Sequence, residues 1–202
     1  TPILTIQTPY KMTDFSMVVM YDRCYITPHD GQSGLPGTDG KLYVYQGGGT
    51  VRSAAGAPPG TGLLATESPD SGNIPKGKRL ISFVFETDTG FLTKPAPAFL
   101  TDQPGEKKLD LTSIDTGGPE VVARHIIATQ TLITEYSGKD EDYAFYYVPN
   151  GRIDDNTTTE LTVDFFDTDL LASADDLWYS FEEISSFLVV EEYDGKLIGW
   201  GE

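Results

Sequence analysis

Leu80 to Glu86 reads LISFVFE, a run of alternating large residues bounded by Gly and Pro turn signals, and it reads as a β-strand. Working outward from it, Phe15 to Ile26 (FSMVVMYDRCYI) and Leu42 to Tyr45 are short runs rich in Val, Tyr and Met, of the same character. Tyr143 to Val148 (YAFYYV) predicts another strand, closed by the turn residues Pro149, Asn150 and Gly151, and Leu161 to Phe166 (LTVDFF) a further one. Val121 to Tyr136 (VVARHIIATQTLITEY) is long enough for a helix, but its Val, Ile and Thr content favours a strand. Asp175 to Glu183 opens like a helix with acids in its first turn. Ile184 to Glu191, then Asp194-Gly195, then Lys196 to Trp200, predict a closing hairpin.

Residues 31–77 hold 12 of the 21 glycines and 5 of the 13 prolines, which excludes a helix there. Turns and long loops are expected instead, around short strands at Lys41 to Gln46 and Leu63 to Thr66. Strand pieces separated by turn signals predict an all-β chain. The expected architecture is an antiparallel β-sandwich, or a jelly-roll-like variant of it, as a single domain over 1–202. It would carry long Gly/Pro-rich loops at 31–77 and an acidic, insertion-rich middle at about 91–176.

The 202 residues suffice for one core that buries roughly 70% of the unfolded surface. The formal charge of −17 argues against a nucleic-acid backbone or an anionic membrane surface as partner, since both attract positive charge. Residues 101–202 hold 23 of the 31 acids and only 6 of the 14 bases, so the first half of the chain is electrically neutral. A hydrophobic content of 39% and an aromatic content of 11% exceed those of a disordered acidic tail. No apolar run approaches the roughly 18 residues of a membrane helix, so membrane insertion is not expected. The opening TPILTIQTPY has neither the basic nor the apolar region of a secretory leader.

Few residues suggest chemistry. Cys24 is the sole cysteine, which leaves three options: a packed small hydrophobe, one bond to a second chain, or a reactive thiol. His29 follows five residues later in TPHDG, but no orienting group or oxyanion donor is legible for a Cys and His pair, and a non-enzymatic role is expected. Asp164, Asp167 and Asp169, Asp154-Asp155, and Asp140-Glu141-Asp142 have oxygen ligands of the kind calcium takes, without the offsets of an EF-hand loop. Solvated turns and strand edges are the expected role for them. One Cys and two His cannot complete a structural zinc site, so neither metal nor cofactor is expected. Gly47-Gly48-Gly49-Thr50 lacks the Lys-Ser or Lys-Thr of a phosphate loop and reads as a connection between strands. Lys76, Lys78 and Arg79 form the one basic cluster and suit a salt contact between subunits. Asn156-Thr157-Thr158 is a glycosylation sequon. Trp178, Tyr179, Trp200, Tyr146 and Tyr147 are aromatic residues that could stack on a sugar, with core packing the commoner role; among them Trp178 and Trp200 are the stacking candidates.

Two segments resemble the bacterial inclusion-body protein family of the PixA and AidA type. At the N-terminal end, DFSMVVMYDRCYI runs through a polar Pro and Gly loop into Lys-Leu-Tyr-Val-Tyr, followed by GGGTV and GNIPKGKRLISF. At the C-terminal end, YSFEEISSFLVVEEYDGKLIGWGE is similar to the family's closing hairpin. The chain departs from that pattern in its long acidic middle, about Phe91 to Asp176, and in ending Trp-Gly-Glu. The resemblance implies a compact β-sandwich without known catalytic residues, whose partner is itself in a homo-oligomeric lattice and which is deposited as ordered intracellular inclusions.

Like charges repel over a Debye length of about 8–10 Å, and protonating carboxylates near pH 4–5 removes much of that repulsion. An acidic compartment, such as a vacuole, would therefore favour assembly, and an exposed Cys24 could lock two chains. The rival expectations are a carbohydrate- or ligand-binding β-sandwich and a jelly-roll capsid or appendage subunit.

Overall fold

The structure, a computed structural model, describes residues 14–29, 42–45, 47, 51–179 and 187–201. In chain order its strands are β1 (Asp14–Met20), β2 (Arg23–His29), β3 (Tyr43–Tyr45), β4 (Arg52–Ser53), β5 (Leu64–Ile74), β6 (Gly77–Thr87) and β7 (Phe99–Gln103). There follow β8 (Lys107–Thr112), β9 (Val121–Thr129), β10 (Phe145–Ile153), β11 (Leu161–Val163), β12 (Val189–Tyr193) and β13 (Lys196–Trp200). Every ladder among them is antiparallel, and the helical pieces among the described residues are three short 3₁₀ turns, so the chain is all-β. By its packing the chain gathers into two compact units, Thr1–Gly56 with Glu183–Glu202, and Ala57–Glu182.

The larger unit, Ala57–Glu182, is sandwich-like. One sheet has the order β10-β9-β6-β7, the other β11-β8-β5. Between them lies the main core, to which β6 contributes Ile81, Phe83 and Phe85, β8 Leu109 and Leu111, and β9 Ile126 and Ala128. The remaining β6 residues Leu80 and Val84 face the opposite way, into a second cluster with Ile127, Phe145, Ala174 and Leu177. The LISFVFE strand is thus buried on both faces, which is why nearly every position in it is large or apolar. Burial of Phe83 and Phe85, whose rings meet edge to face at 5.9 Å, stabilises by about 2–3 kcal/mol each.

The second cluster is covered by loops rather than by a third sheet. Asp140 holds two of these together: its carboxylate accepts from the Ala98 amide at 2.9 Å and from the Tyr136 hydroxyl at 2.6 Å. That carboxylate, with burial, pushes the Tyr136 phenol up to about 12.

The smaller unit is a sheet of order β1-β2-β3-β4, with the β12–β13 hairpin packed across β1 and β2. Ser16 and Thr27 face each other across the β1–β2 ladder, and their hydroxyls fasten the hairpin segment to the sheet. The Val190 amide donates to Ser16 Oγ at 3.1 Å, the Phe187 amide donates to Thr27 Oγ1 at 2.6 Å, and the Thr27 hydroxyl donates to the Phe187 carbonyl. Beneath lie Tyr25, Leu42, Val44 and Ala54, with Val18, Met20 and Leu197 at the margin.

Several boundaries differ from expectation. The Phe15 to Ile26 run is two strands, because Tyr21 and Asp22 both take left-handed backbone, φ 50° and 61°, and close a two-residue hairpin without a glycine. β5 continues from Leu64 through Pro69 to Ile74, since register shifts between Glu67 and Ser71 keep the proline out of a regular ladder. β10 likewise continues through Pro149-Asn150-Gly151, with a register shift between Tyr147 and Arg152 and Asn150 at φ 57°. β9 ends at Thr129 rather than Tyr136, and Asp175–Tyr179 is a 3₁₀ turn rather than a longer helix. The acidic middle contributes whole strands, β7 to β11, to both sheets. The Asp194-Gly195 hairpin forms as expected, with φ 51° and 70°. The expectations for 31–40, 48–50 and 180–186 lie outside the described residues.

Candidate functional site

β1 alternates strictly. Its inward residues Val18 and Met20 serve the small unit's core and Ser16 fastens the hairpin, while its outward ones are exposed: Phe15 48%, Met17 61% and Val19 68%. Tyr21, at the adjoining turn, is 70% exposed, but its hydroxyl donates to the Gly195 carbonyl at 3.4 Å, on the side where the β12–β13 hairpin packs. Single exposed apolar residues are ordinary, whereas a consecutive outward row on one strand is the pattern of an interaction surface.

Cys24 pairs with Val19 across the ladder, so both side chains lie on the same sheet face, and Cys24 is partly exposed. Burial pushes its thiol up, which lowers the thiolate fraction on which both nucleophilic attack and disulfide exchange depend. The side chain of His29 lies outside the described ones, so no Cys and His pair is defined.

The basic cluster divides three ways. Lys76 is exposed. Lys78 is tied at 3.0 Å to Glu135 of its own unit, and this contact raises its pKa. Arg79 does not offer its charge to another subunit, because it is fully buried. Its guanidinium donates to Asp167 at 2.8 Å, to the Pro75 carbonyl at 2.9 Å and to Thr131 Oγ1 at 3.0 Å, and lies 5.5 Å from the Phe165 ring centre. Asp167 also accepts from the Thr131 amide at 2.9 Å. Burial alone would raise that carboxyl, but these bonds outweigh it and hold it below the usual carboxylate range.

The other acids act as anchors more than as solvated edges. Asp164 accepts from the backbone and side chain of Asn73 at 2.6 and 2.9 Å, and Asp169 accepts from the Phe166 amide at 2.8 Å. Asp155 takes the amides of Thr157 and Thr158 at 2.7 and 2.8 Å and one arm of fully buried Arg124 at 2.9 Å. Its pKa is strongly lowered, chiefly by the bonds from Thr158 and Thr157. No cluster of three metal-ligating side chains occurs among the described residues. The sequon residue Asn156 is occupied as well: its amide donates at 3.0 Å to the carbonyls of both Gly117 and Gly118 and accepts from the Gly117 amide at 2.9 Å.

Of the stacking candidates, Trp178 lines the second core cluster with its ring 4.8 Å from that of Phe145, so it is a wall and not a platform. Trp200 is 46% exposed at the end of β13. Tyr147 packs edge to face on His125 at 5.7 Å.

One polar group escapes the sequence reading. Glu86, His125 and Arg152 sit on adjacent strands β6, β9 and β10, at the end of the face that Leu80 and Val84 occupy. Glu86 lies 2.6 Å from His125 Nε2 and accepts from Arg152, which also donates to Asp154 at 2.5 Å. Desolvation acts to raise Glu86, but the bonds from His125 and Arg152 prevail and lower its pKa. The guanidinium is shared between two carboxylates, so the group closes the sheet end as an ion-paired cap. Only its placement on three neighbouring strands reveals it, and no local motif in the chain encodes that.

Comparison with family models, with curated proteins and with solved structures finds no match to this chain.

Proposed function

We propose that this is a non-catalytic, self-associating β-protein whose copies pack into ordered inclusions, with a storage or matrix role. The observation that supports this reading best is the outward apolar row Phe15, Met17 and Val19. The association follows from charge as well. The unit bearing the row has nine acids and five bases, while the larger unit has 22 and nine and holds most of the −17. Repulsion therefore opposes association at neutral pH, and acid relieves it.

Acid would defeat assembly if it also dissolved the fold. The carboxyls that brace buried arginines and strand ends, Asp155, Asp167 and Glu86, are held below the ordinary range, so they remain ionised while ordinary surface carboxyls near pH 4 lose charge. That ordering leaves a mildly acidic window in which the protein is folded and weakly charged. Cys24 lies on the apolar face, so copies meeting there would bring their thiols to one interface, and a disulfide would lock the pair under oxidising conditions. With a raised thiol pKa, that lock forms faster as pH rises and is not what drives assembly in acid.

Cys24→Ser tests this division. Assembly at pH 4.5–5 by light scattering should be unchanged, while the reducible dimer band on a non-reducing gel, formed after incubation at pH 8–9, should disappear. Loss of acid assembly in that variant would show that the covalent contact, and not the apolar row, carries association.

A further inference from the structure

We infer that an open cleft of about 600 Å³ in the larger unit, between the 72–76 and 104–106 turns and Phe166, binds a small zwitterion with an apolar body, of the class of an apolar α-amino acid. Its volume falls within the usual range of ligand sites, about 300–1,000 Å³. The lining has two characters. Pro75, Pro104 and the half-exposed ring of Phe166 form apolar lining above the fully buried Ile74. Lys76 and Glu106 supply one charge of each sign.

The ligand class follows from one charge of each sign lining a single cleft. Lys76 and Glu106 line the same cleft, yet they do not pair with each other, and neither side chain has an ion pair or hydrogen bond among the described residues. Elsewhere in this unit Lys78, Arg79, Lys107, Lys108, Arg124 and Arg152 each have a carboxylate within 4.0 Å, whereas exposed Lys139, like Lys76, has none among the described residues. A ligand carrying both an ammonium and a carboxylate satisfies Glu106 and Lys76 together, and its side chain covers the Phe166 ring. A plain anion meets Glu106 unfavourably, and a plain cation meets Lys76.

The cleft is also held open before any ligand arrives. The Gly72 amide donates to the Glu106 carbonyl at 3.0 Å and the Glu106 amide to the Ile74 carbonyl at 3.1 Å, so the two turns are fastened to each other. Asp169 fixes the Phe166 backbone, and the Pro75 carbonyl is gripped by buried Arg79. Little ordering remains to be done on binding. This site is independent of the β1 row and stands whether or not the protein self-associates.

The test is a titration of the full chain at neutral pH with L-phenylalanine, 3-phenylpropionate and phenethylamine, followed by amide and methyl NMR shifts. Phenylalanine should shift signals of residues 72–76, 104–106 and 166, with each single-charge analogue at least threefold weaker. Lys76→Gln and Glu106→Gln, both at exposed positions, should weaken phenylalanine about two- to fivefold, and Phe166→Ala about tenfold, with spectra that otherwise retain the native dispersion. Absence of shifts at 20 mM phenylalanine, shifts lying elsewhere, or equal binding of all three compounds would overturn the assignment.

Discussion

Arg79 and Arg124 are the two largest fully buried side chains, and each is neutralised by a single aspartate on a loop. Removing the acid leaves a buried charge without its partner, which costs far more than the pair itself contributes. Asp167→Asn should therefore lower unfolding free energy by about 3 kcal/mol in chemical denaturation, whereas substitution of an exposed acid such as Glu160 should change it by under about 0.5 kcal/mol. The same residues set the acid limit of the fold. Glu86 and Asp167 have pKa values lowered in the folded state, so their stabilisation is complete above the unfolded carboxylate range, about pH 4, and is lost as pH falls through their folded values. Stability measured from pH 7 to 2 should fall mainly below about pH 4. Glu86→Gln should flatten that fall, and a wild-type protein that unfolds near pH 5 would contradict the assigned order of titration.

At the scale of elements, the β1–β2 hairpin turns on Tyr21 and Asp22 in left-handed backbone, a conformation that favours Asn-Gly or Asp-Gly. Asp22→Gly should raise the melting temperature, with about 0.5–1 kcal/mol of stabilisation, because the strain at φ 61° is relieved and Tyr21 keeps its place. A destabilised hairpin would mean that Asp22 has a role beyond the turn. That turn also explains what was legible in the chain. LISFVFE and the Asp194-Gly195 hairpin could be read because pattern and turn chemistry agree locally. The Tyr21-Asp22 turn, the passage of β5 through Pro69 and that of β10 through Pro149 could not, because tertiary pairing there overrides residues that ordinarily end strands. The candidate surface was half legible. Cys24 stood out as a single residue, but the outward row of β1 emerges only once the hairpin fixes which of its alternating residues face the core, and the Glu86–His125–Arg152 group only once three strands are side by side.

On the scale of the whole molecule, the account rests on an uneven division: a larger unit that carries most of the negative charge and a smaller one that carries an apolar strand face. The sandwich places its ion pairs where acid reaches them last, and the strand face provides a contact that does not depend on charge. The measurement that bears most directly on this is light scattering with negative-stain microscopy from pH 4 to 8, in reductant, on wild type and on the Met17→Lys/Val19→Lys double variant. The account predicts ordered particles of the wild type near pH 4.5–5 and dispersed chains at pH 8, with the variant dispersed throughout while its circular dichroism stays that of a folded β-protein. Wild type that remains monomeric at every pH, or a double variant that assembles as readily as wild type, would contradict it.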